Sequence, residues 1–323
     1  MASLLSVENL QVQFQTKKGI NTAVDGVSFS VEKGRILGIV GESGCGKSVT
    51  SMSILQLLGS NARISGGSIK LDGKELIGLP EKEMCRIRGN DIAMIFQDPM
   101  TALNPTLTIG TQLMEPIMLH QNCGKKEAWT RAVDVLKRVG IAAPEKRMKE
   151  YPHQLSGGMR QRVMIAMAVS CEPRLLIADE PTTALDVTIQ AQILELMCEL
   201  REKMGTAIML ITHDMGVVAE TADDVLVLYA GKAVEYGSIE DIFERPKHPY
   251  TQGLLNSIPR LDEDVELLNT IEGTVPAPDA MPAGCRFAPR CPYGKDRCMK
   301  EKLGVYHAGN SLVSCFRYEG EKE

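Results

Sequence analysis

Apolar and polar residues alternate along two stretches near the N-terminus. Residues 7–14 form the first run and residues 24–31 the second, and Gly19 and Gly34 interrupt them. This alternation is typical of β-strands that bury one face. Residues 36–40 predict a short apolar strand that leads directly into a glycine-rich loop.

Later in the chain, apolar residues at helical spacing alternate with short apolar runs. Residues 52–58 and 187–203 carry the helical spacing, and residues 108–139 predict two successive helices. The runs 174–178 and 206–211 predict strands that are buried on both faces. This order of elements predicts an α/β fold with a mostly parallel sheet.

Composition narrows the class of protein. The chain has 323 residues, 44% of them hydrophobic, which predicts a large globular domain with an appendage. Its net charge of −5 disfavours binding to nucleic acid, which requires a basic surface. No apolar run reaches the roughly 18 residues of a transmembrane helix, and the N-terminal residues lack the pattern of a signal peptide. We therefore expect a peripheral protein on the cytoplasmic face of the membrane, held there by a partner.

The glycine-rich loop reads GESGCGKS and fits the phosphate-binding pattern G-x-x-x-x-G-K-[ST]. Such a loop turns backbone N–H groups toward the β- and γ-phosphates of a nucleotide, Lys47 adds a positive charge, and Ser48 offers a hydroxyl to Mg²⁺. Cys45 occupies a free position of the pattern. The residues predicted to contact ATP here are Gly41, Glu42, Ser43, Gly44, Cys45, Gly46, Lys47, Ser48 and Val49.

Two carboxylates end the apolar run 175–178. Asp179 comes first and is placed to hold Mg²⁺, often through water. Glu180 follows, and a carboxylate at that position can orient or deprotonate the attacking water as a general base. A phosphate loop combined with this strand end predicts hydrolysis of a nucleoside triphosphate.

A second predicted anion site lies at Ser156, Gly157 and Gly158, within the sequence LSGGM. Serine is a good N-cap, and two glycines leave the backbone open at the start of a long helix. This arrangement resembles the signature of ABC-type ATPases, in which the signature of one subunit closes over the ATP held by its partner. The resemblance implies a P-loop NTPase (RecA-like) core with an α-helical subdomain.

Further elements of that family match in order. Gln97 matches the glutamine that contacts Mg²⁺ and the attacking water, and His213 matches the histidine that senses the γ-phosphate. Residues 184–186 match the D-loop, and Phe14 is the candidate for stacking on adenine. Met159 departs from the family, which often has glutamine there. The resemblance thus implies Glu180, His213 and Gln97 as catalytic residues, and Ser48, Gln97 and Asp179 as Mg²⁺ ligands.

The C-terminal part resembles the extension of ATPases from di- and oligopeptide importers. The resemblance rests on His248-Pro249-Tyr250, on Gly284 to Phe287 and on Arg290-Cys291-Pro292. We expect an ATPase domain at 1–247, with a helical subdomain at about 98–159, and an extension at 248–323. The family implies a second homologous ATPase, two transmembrane permease subunits and an extracytoplasmic peptide-binding protein. A nickel importer is the alternative within the family.

An ABC ATPase that acts on ribosomes or DNA is the alternative from another class. Such proteins usually carry two ATPase cassettes in one chain or a long coiled-coil insert. This sequence shows one cassette and no heptad run, so we expect no nucleic-acid partner.

Four of the nine cysteines crowd the C-terminal region: Cys285, Cys291, Cys298 and Cys315. Their spacings are C-x5-C, C-x6-C and C-x16-C, wider than those usual for zinc. We therefore expect a structural [4Fe–4S] cluster, as the family resemblance also implies. Structural Zn²⁺, free thiols and a disulfide are the alternatives.

Overall fold

The computed structural model describes residues 3–17, 19–98, 102–183, 186–258 and 270–320. In chain order, its strands are β1 (Ser3–Thr16), β2 (Gly19–Glu32), β3 (Ile36–Val40), β4 (Ala62–Leu71), β5 (Lys74–Glu75), β6 (Ile92–Ile95), β7 (Leu175–Asp179), β8 (Ala207–Ile211), β9 (Asp224–Tyr229), β10 (Lys232–Ser238), β11 (Tyr306–Ala308) and β12 (Ser311–Val313).

The α-helices are α1 (Lys47–Ile54), α2 (Glu81–Ile87), α3 (Ile109–Gln121), α4 (Lys125–Arg138), α5 (Pro144–Arg147), α6 (Gly157–Val169), α7 (Val187–Met204), α8 (Met215–Thr221), α9 (Ile239–Glu244), α10 (Pro249–Asn256) and α11 (Asp296–Lys300). Short 3-10 turns lie at Pro152–Gln154, Pro278–Ala280, Ala288–Arg290 and Phe316–Tyr318. No helix within the described ranges is long and apolar enough to cross a lipid bilayer.

The predicted α/β class is confirmed, and the short apolar runs become the most buried strands. Every residue of β3, β7 and β8 is buried. Helix α1 is shorter than the predicted 52–58 segment implies, because it ends at Ile54. Gln56 then adopts φ 50°, a left-handed conformation that helices do not continue through.

The chain divides into two compact units. The first draws its described residues from Met1–Val31, Ile36–Ile77 and Thr212–Glu323. One antiparallel sheet in it has the order β2-β1-β4-β5. A second set of strands runs β11-β12-β10-β9-β3, in which β3 pairs parallel with β9 and the remaining pairs are antiparallel. The phosphate loop follows β3, so a fully buried strand fixes where the loop begins.

The second unit contains Glu32–Arg35 and Gly78–Ile211. Its strands pair in the order β8-β7-β6, all parallel, so their carboxyl ends lie on the same edge. Helices α3 and α4 pack on each other and on α6. The domain boundary predicted at residue 247 and the helical subdomain predicted at about 98–159 stay predictions.

The C-terminal strands join the first unit through backbone pairing. Strand β12 pairs antiparallel with β10, with Val313 opposite Glu235. A buried aromatic cluster covers the same region, because the Phe287 ring lies 5.2 Å from that of Tyr229 and 5.4 Å from that of Tyr250. His248 caps α10 by accepting a hydrogen bond at Nδ1 from the Tyr250 N–H, at 3.1 Å.

We predict that His248 makes the fold sensitive to acid. Burial lowers the pKa of His248 to about 3, so the folded protein keeps this ring neutral and able to cap the helix. In the unfolded chain its pKa is about 6.5, so the unfolded chain binds more protons between these two values and stability falls as the pH drops. From pH 7 to pH 5 this contribution amounts to about 2 kcal/mol.

Denaturant unfolding of the native protein and of His248→Asn at both pH values checks this. Asparagine keeps a capping acceptor but does not titrate. Groups that titrate in both proteins cancel in the comparison. The variant should therefore lose about 2 kcal/mol less than the native protein between pH 7 and pH 5. An equal loss in the two proteins would show that His248 is not the sensitive group.

Candidate nucleotide-binding site

Glycine is required at two positions of the phosphate loop by close backbone approach. Gly41 has φ 153°, and a Cβ there would overlap the carbonyl oxygen of Leu228 and lie 2.7 Å from the sulfur of Cys45. Gly46 has φ 104°, and a Cβ there would lie 3.0 Å from the carbonyl oxygen of Ala23. The loop is therefore packed closely against Leu228 and Ala23, whereas a Cβ at Gly44 would meet nothing within 4 Å.

Lys47 is buried beneath the loop that it belongs to. Its side chain amine donates to the carbonyl oxygen of Gly41 at 2.7 Å and to that of Glu42 at 3.4 Å. Only 6% of the residue is exposed. Ser48 is exposed at the start of α1. The site thus combines a positive charge, a free helix N-terminus and a hydroxyl, which together suit a phosphate chain.

Cys45 has a packing role in this loop. Its side chain is buried, and burial raises the pKa of the thiol, which therefore stays neutral. Its carbonyl oxygen accepts a hydrogen bond from the Gly231 N–H at 2.9 Å. The free position of the sequence pattern is thus filled by a small apolar side chain that anchors the second half of the loop.

Tyr250 supports the loop, and sequence analysis missed this contact. Its hydroxyl accepts a hydrogen bond from the backbone N–H of Glu42 at 3.0 Å, across 208 residues of sequence. In the sequence, Tyr250 stands out only as part of the His248-Pro249-Tyr250 motif. An aromatic residue in the first turn of a helix gives no sign of such a distant partner, so only the fold could reveal it.

In the second unit, the structure brings Gln97 and Glu180 together. Gln97 Nε2 donates to Glu180 Oε2 at 2.9 Å, and the Thr183 hydroxyl donates to the same oxygen at 2.9 Å. Glu180 has φ 48°, an uncommon conformation for a glutamate, and its N–H donates to the carbonyl oxygen of Ile211 at 2.8 Å. Asp179, at the end of β7, is 4% exposed. Gln97, which follows β6, therefore meets the carboxylate of Glu180, which follows β7 directly after Asp179.

The predicted signature begins a helix, as expected. Ser156 is the N-cap of α6, and its hydroxyl accepts a hydrogen bond from the Met159 N–H at 3.4 Å. Ser156 and Gly157 are exposed, and a Cβ at Gly157 would meet nothing within 4 Å. Gln161, one turn later, donates to the carbonyl oxygen of Pro181. The signature helix is thereby tied to the loop that follows Glu180.

The remaining predicted residues have separate positions. His213 is exposed just before Asp214, which caps α8 by accepting from the Gly216 N–H at 2.8 Å. Phe14 is half-buried on β1, opposite Ala62 of β4. Residues 184 and 185 of the D-loop lie outside the described residues.

The predicted [4Fe–4S] cluster is wrong. Across the described ranges, no group of three or more His, Cys, Asp or Glu side chains is arranged to hold a metal ion, which removes zinc as well. The four C-terminal cysteines are free thiols that line one cavity. Burial, with a smaller contribution from the neighbouring thiols, raises the pKa of Cys285 to about 11. The segment is held by backbone bonds instead, such as Cys285 N–H to Cys298 O at 2.7 Å.

Two family models match the chain. The ABC transporter model covers residues 24–183, and the model "Oligopeptide/dipeptide transporter, C-terminal region" covers residues 234–298. The oligopeptide transport ATP-binding protein AppD of Bacillus subtilis is 56% identical over 99% of this chain and 98% of its own length. The chain belongs to the ABC transporter family.

Other relatives of this ABC transporter protein carry similar names. The dipeptide transport ATP-binding protein DppD of Bacillus subtilis is 57% identical over 100% of this chain and 97% of its own length. The oligopeptide transport ATP-binding protein OppD of Escherichia coli is 51% identical over 98% of this chain and 93% of its own length.

Solved structures show the same cassette fold. The dimeric structure of the bacterial ABC transporter cassette MJ0796 is 28% identical, with a TM-score of 0.65 over 73% of this chain and 98% of that one. The same cassette in a post-hydrolysis state bound to ADP and Pi gives a TM-score of 0.66 at 27% identity, over 73% of this chain and 98% of that one. The protein is thus an ABC-type ATPase with the α/β fold of P-loop NTPases.

We predict that Gly41→Ala disrupts the loop, because its methyl group would overlap the Leu228 carbonyl oxygen. The variant should unfold at a lower temperature and lose at least tenfold in ATP affinity, or about 1.4 kcal/mol. Gly73→Ala, in the turn between β4 and β5, is the matched control, since Gly73 also has positive φ but a Cβ there would meet nothing within 4 Å. Thermal unfolding and titration with ATP check both, and native behaviour of Gly41→Ala would contradict this packing.

Proposed function

We propose that the chain is the ATP-hydrolysing subunit of an ABC importer for di- or oligopeptides. The observation that carries this proposal is similarity along the whole chain, including the C-terminal region at 234–298, to proteins named for oligopeptide and dipeptide transport. The nickel alternative is not favoured, because these relatives are named for peptides.

The phosphate loop would bind the β- and γ-phosphates of ATP. Backbone N–H groups within residues 43–49 would surround the anion, since the Glu42 N–H donates to the Tyr250 hydroxyl. Lys47 would exchange its bond to the Gly41 carbonyl oxygen for one to phosphate. The buried position of Lys47 supports this role, because a buried ammonium gains from an anionic partner. Phe14 would stack on the adenine.

Mg²⁺ fits the proposed donors. Ser48, Gln97 and Asp179 all present oxygen atoms, the ligand type that Mg²⁺ prefers. Held by these residues, the ion would supply positive charge that offsets the negative charge developing on the phosphates during transfer. The chain's own part is to hold these oxygens in place, and burial of Asp179 at the end of β7 supports that.

Hydrolysis would depend on Glu180 as the group that orients the attacking water and accepts its proton. The hydrogen bonds from Gln97 and Thr183 to Glu180 Oε2 fix the orientation of the carboxylate. His213 would contact the γ-phosphate. These assignments are supported by the family motif and by the local geometry of each residue.

A second homologous ATPase would complete the site. In vivo it would form a heterodimer with this chain. The Ser156, Gly157 and Gly158 backbone would cover ATP held by that partner, and the exposed start of α6 supports this. ATP binds the closed pair more tightly than the open pair and so drives closure. Two transmembrane permease subunits would hold the chain at the cytoplasmic face of the membrane. Residues 1–247 would form the ATPase domain and 248–323 the extension.

We predict that Glu180→Gln retains ATP binding but slows hydrolysis by about 10² to 10⁴, because the general base is lost. Single-turnover hydrolysis and ATP titration measure the two effects. Glu172→Gln is the matched control, since Glu172 lies on the surface beside Arg138. A Glu180→Gln variant that hydrolyses ATP at the native rate would exclude Glu180 as the base.

The peptide assignment is tested by reconstitution in vesicles with the second ATPase, two permease subunits and the binding protein. We expect ATP hydrolysis to rise when peptide is added and to stay unchanged with Ni²⁺. Stimulation by Ni²⁺ and none by peptides of two to five residues would overturn the assignment while leaving the ATPase function intact.

A further inference from the structure

The phosphate loop contains a carboxylate. Glu42 lies directly after Gly41, and its side chain remains 29% exposed. A negative charge at this position opposes the approach of a triphosphate, unless a cation neutralises it. The structure supplies such a cation from the C-terminal part of the same compact unit.

Arg290 contacts both oxygens of this carboxylate. Its Nη1 lies 3.0 Å from Oε1 and 3.0 Å from Oε2 of Glu42, and the arginine side chain is only 6% exposed. The other nitrogens are fixed as well, since Nη2 donates to the Ile271 carbonyl oxygen at 3.1 Å and Nε to that of Glu272 at 2.9 Å. The guanidinium is therefore held in one orientation.

Arg286, four residues earlier, reaches the other half of the loop indirectly. It donates to Asp25 Oδ2 at 2.6 Å and to the Ala230 carbonyl oxygen. The adjacent Gly231 N–H donates to the Cys45 carbonyl oxygen at 2.9 Å. Residues 286–290 therefore connect to the loop near its beginning and near its end.

We propose that Arg290 is a positioning residue for ATP binding, which neutralises Glu42 and couples docking of the C-terminal segment to the affinity of the phosphate loop. This inference rests on the proposed function, in which residues 41–48 hold the phosphates. Because coupling between sites is reciprocal, ATP also strengthens docking of residues 286–290.

The test measures the dissociation constant of MgATP for the full chain by calorimetric titration. Arg290→Gln leaves Glu42 uncompensated beside the phosphates and should weaken binding about tenfold. Arg297→Gln is the matched control. It also replaces a C-terminal arginine by glutamine, but Arg297 pairs with Glu301 and Glu319 and not with Glu42. It should bind ATP as the native protein does.

Charge rescue separates this role from a structural one. In Glu42→Gln/Arg290→Gln both charges are gone, so the double variant should regain most of the affinity that Arg290→Gln loses. Arg290→Lys keeps the positive charge. Because a single nitrogen, Nη1, makes both contacts with Glu42, an ammonium can replace it, and the variant should bind ATP within about threefold of the native protein. Thermal unfolding without nucleotide shows whether Arg290→Gln is folded. If it is not, Arg290→Lys takes its place in the test.

Two results would overturn the inference: native affinity in Arg290→Gln, or no recovery in the double variant. If Arg290→Gln does not fold, a loss of tenfold or more in Arg290→Lys would do the same. Failure of the proposed function has a different signature, because Lys47→Ala would then bind ATP as tightly as the native protein.

Discussion

The bond from Lys47 to the Gly41 carbonyl oxygen closes the phosphate loop on itself, and much of the first unit is arranged to keep that loop in shape. A loop that turns its N–H groups toward a ligand cannot use them to stabilise its own fold. The stabilisation must come from the other side. Here the Leu228 carbonyl packs against Gly41, and the Gly231 N–H donates to the Cys45 carbonyl oxygen. The Tyr250 hydroxyl accepts from the Glu42 N–H.

In the second unit, the local structure holds one carboxylate, that of Glu180, in a fixed and partly exposed position. Glu180 follows a fully buried strand and adopts left-handed backbone geometry, which lets its side chain meet Gln97 and Thr183. Backbone strain of this kind is common where function fixes a side chain. The bond between Gln161 and Pro181 ties the same loop to the signature helix. A change at the start of α6 is thus connected to the strand end that carries Glu180.

Local pattern was enough to predict the elements that make the site. Residues 36–40 form the predicted strand, Ser156 caps the predicted helix, and the glycines lie where close contact requires them. Contacts across long sequence separations could not be predicted, such as Tyr250 and Arg290 on Glu42, since neither residue shows its partner in its neighbours. The cluster prediction failed because cysteine spacing along the sequence does not report how the side chains lie in space, and within the described ranges they form no group that could hold a metal ion.

The central claim is that the ABC-type ATPase binds its nucleotide on the loop at residues 41–49. Amide hydrogen exchange of the full chain with and without MgATP tests it directly. The account predicts slower exchange across residues 41–49 when ATP is present, with the signature at 156–158 protected only after the second ATPase is added. Protection confined to other segments, with unchanged exchange at 41–49, would contradict it.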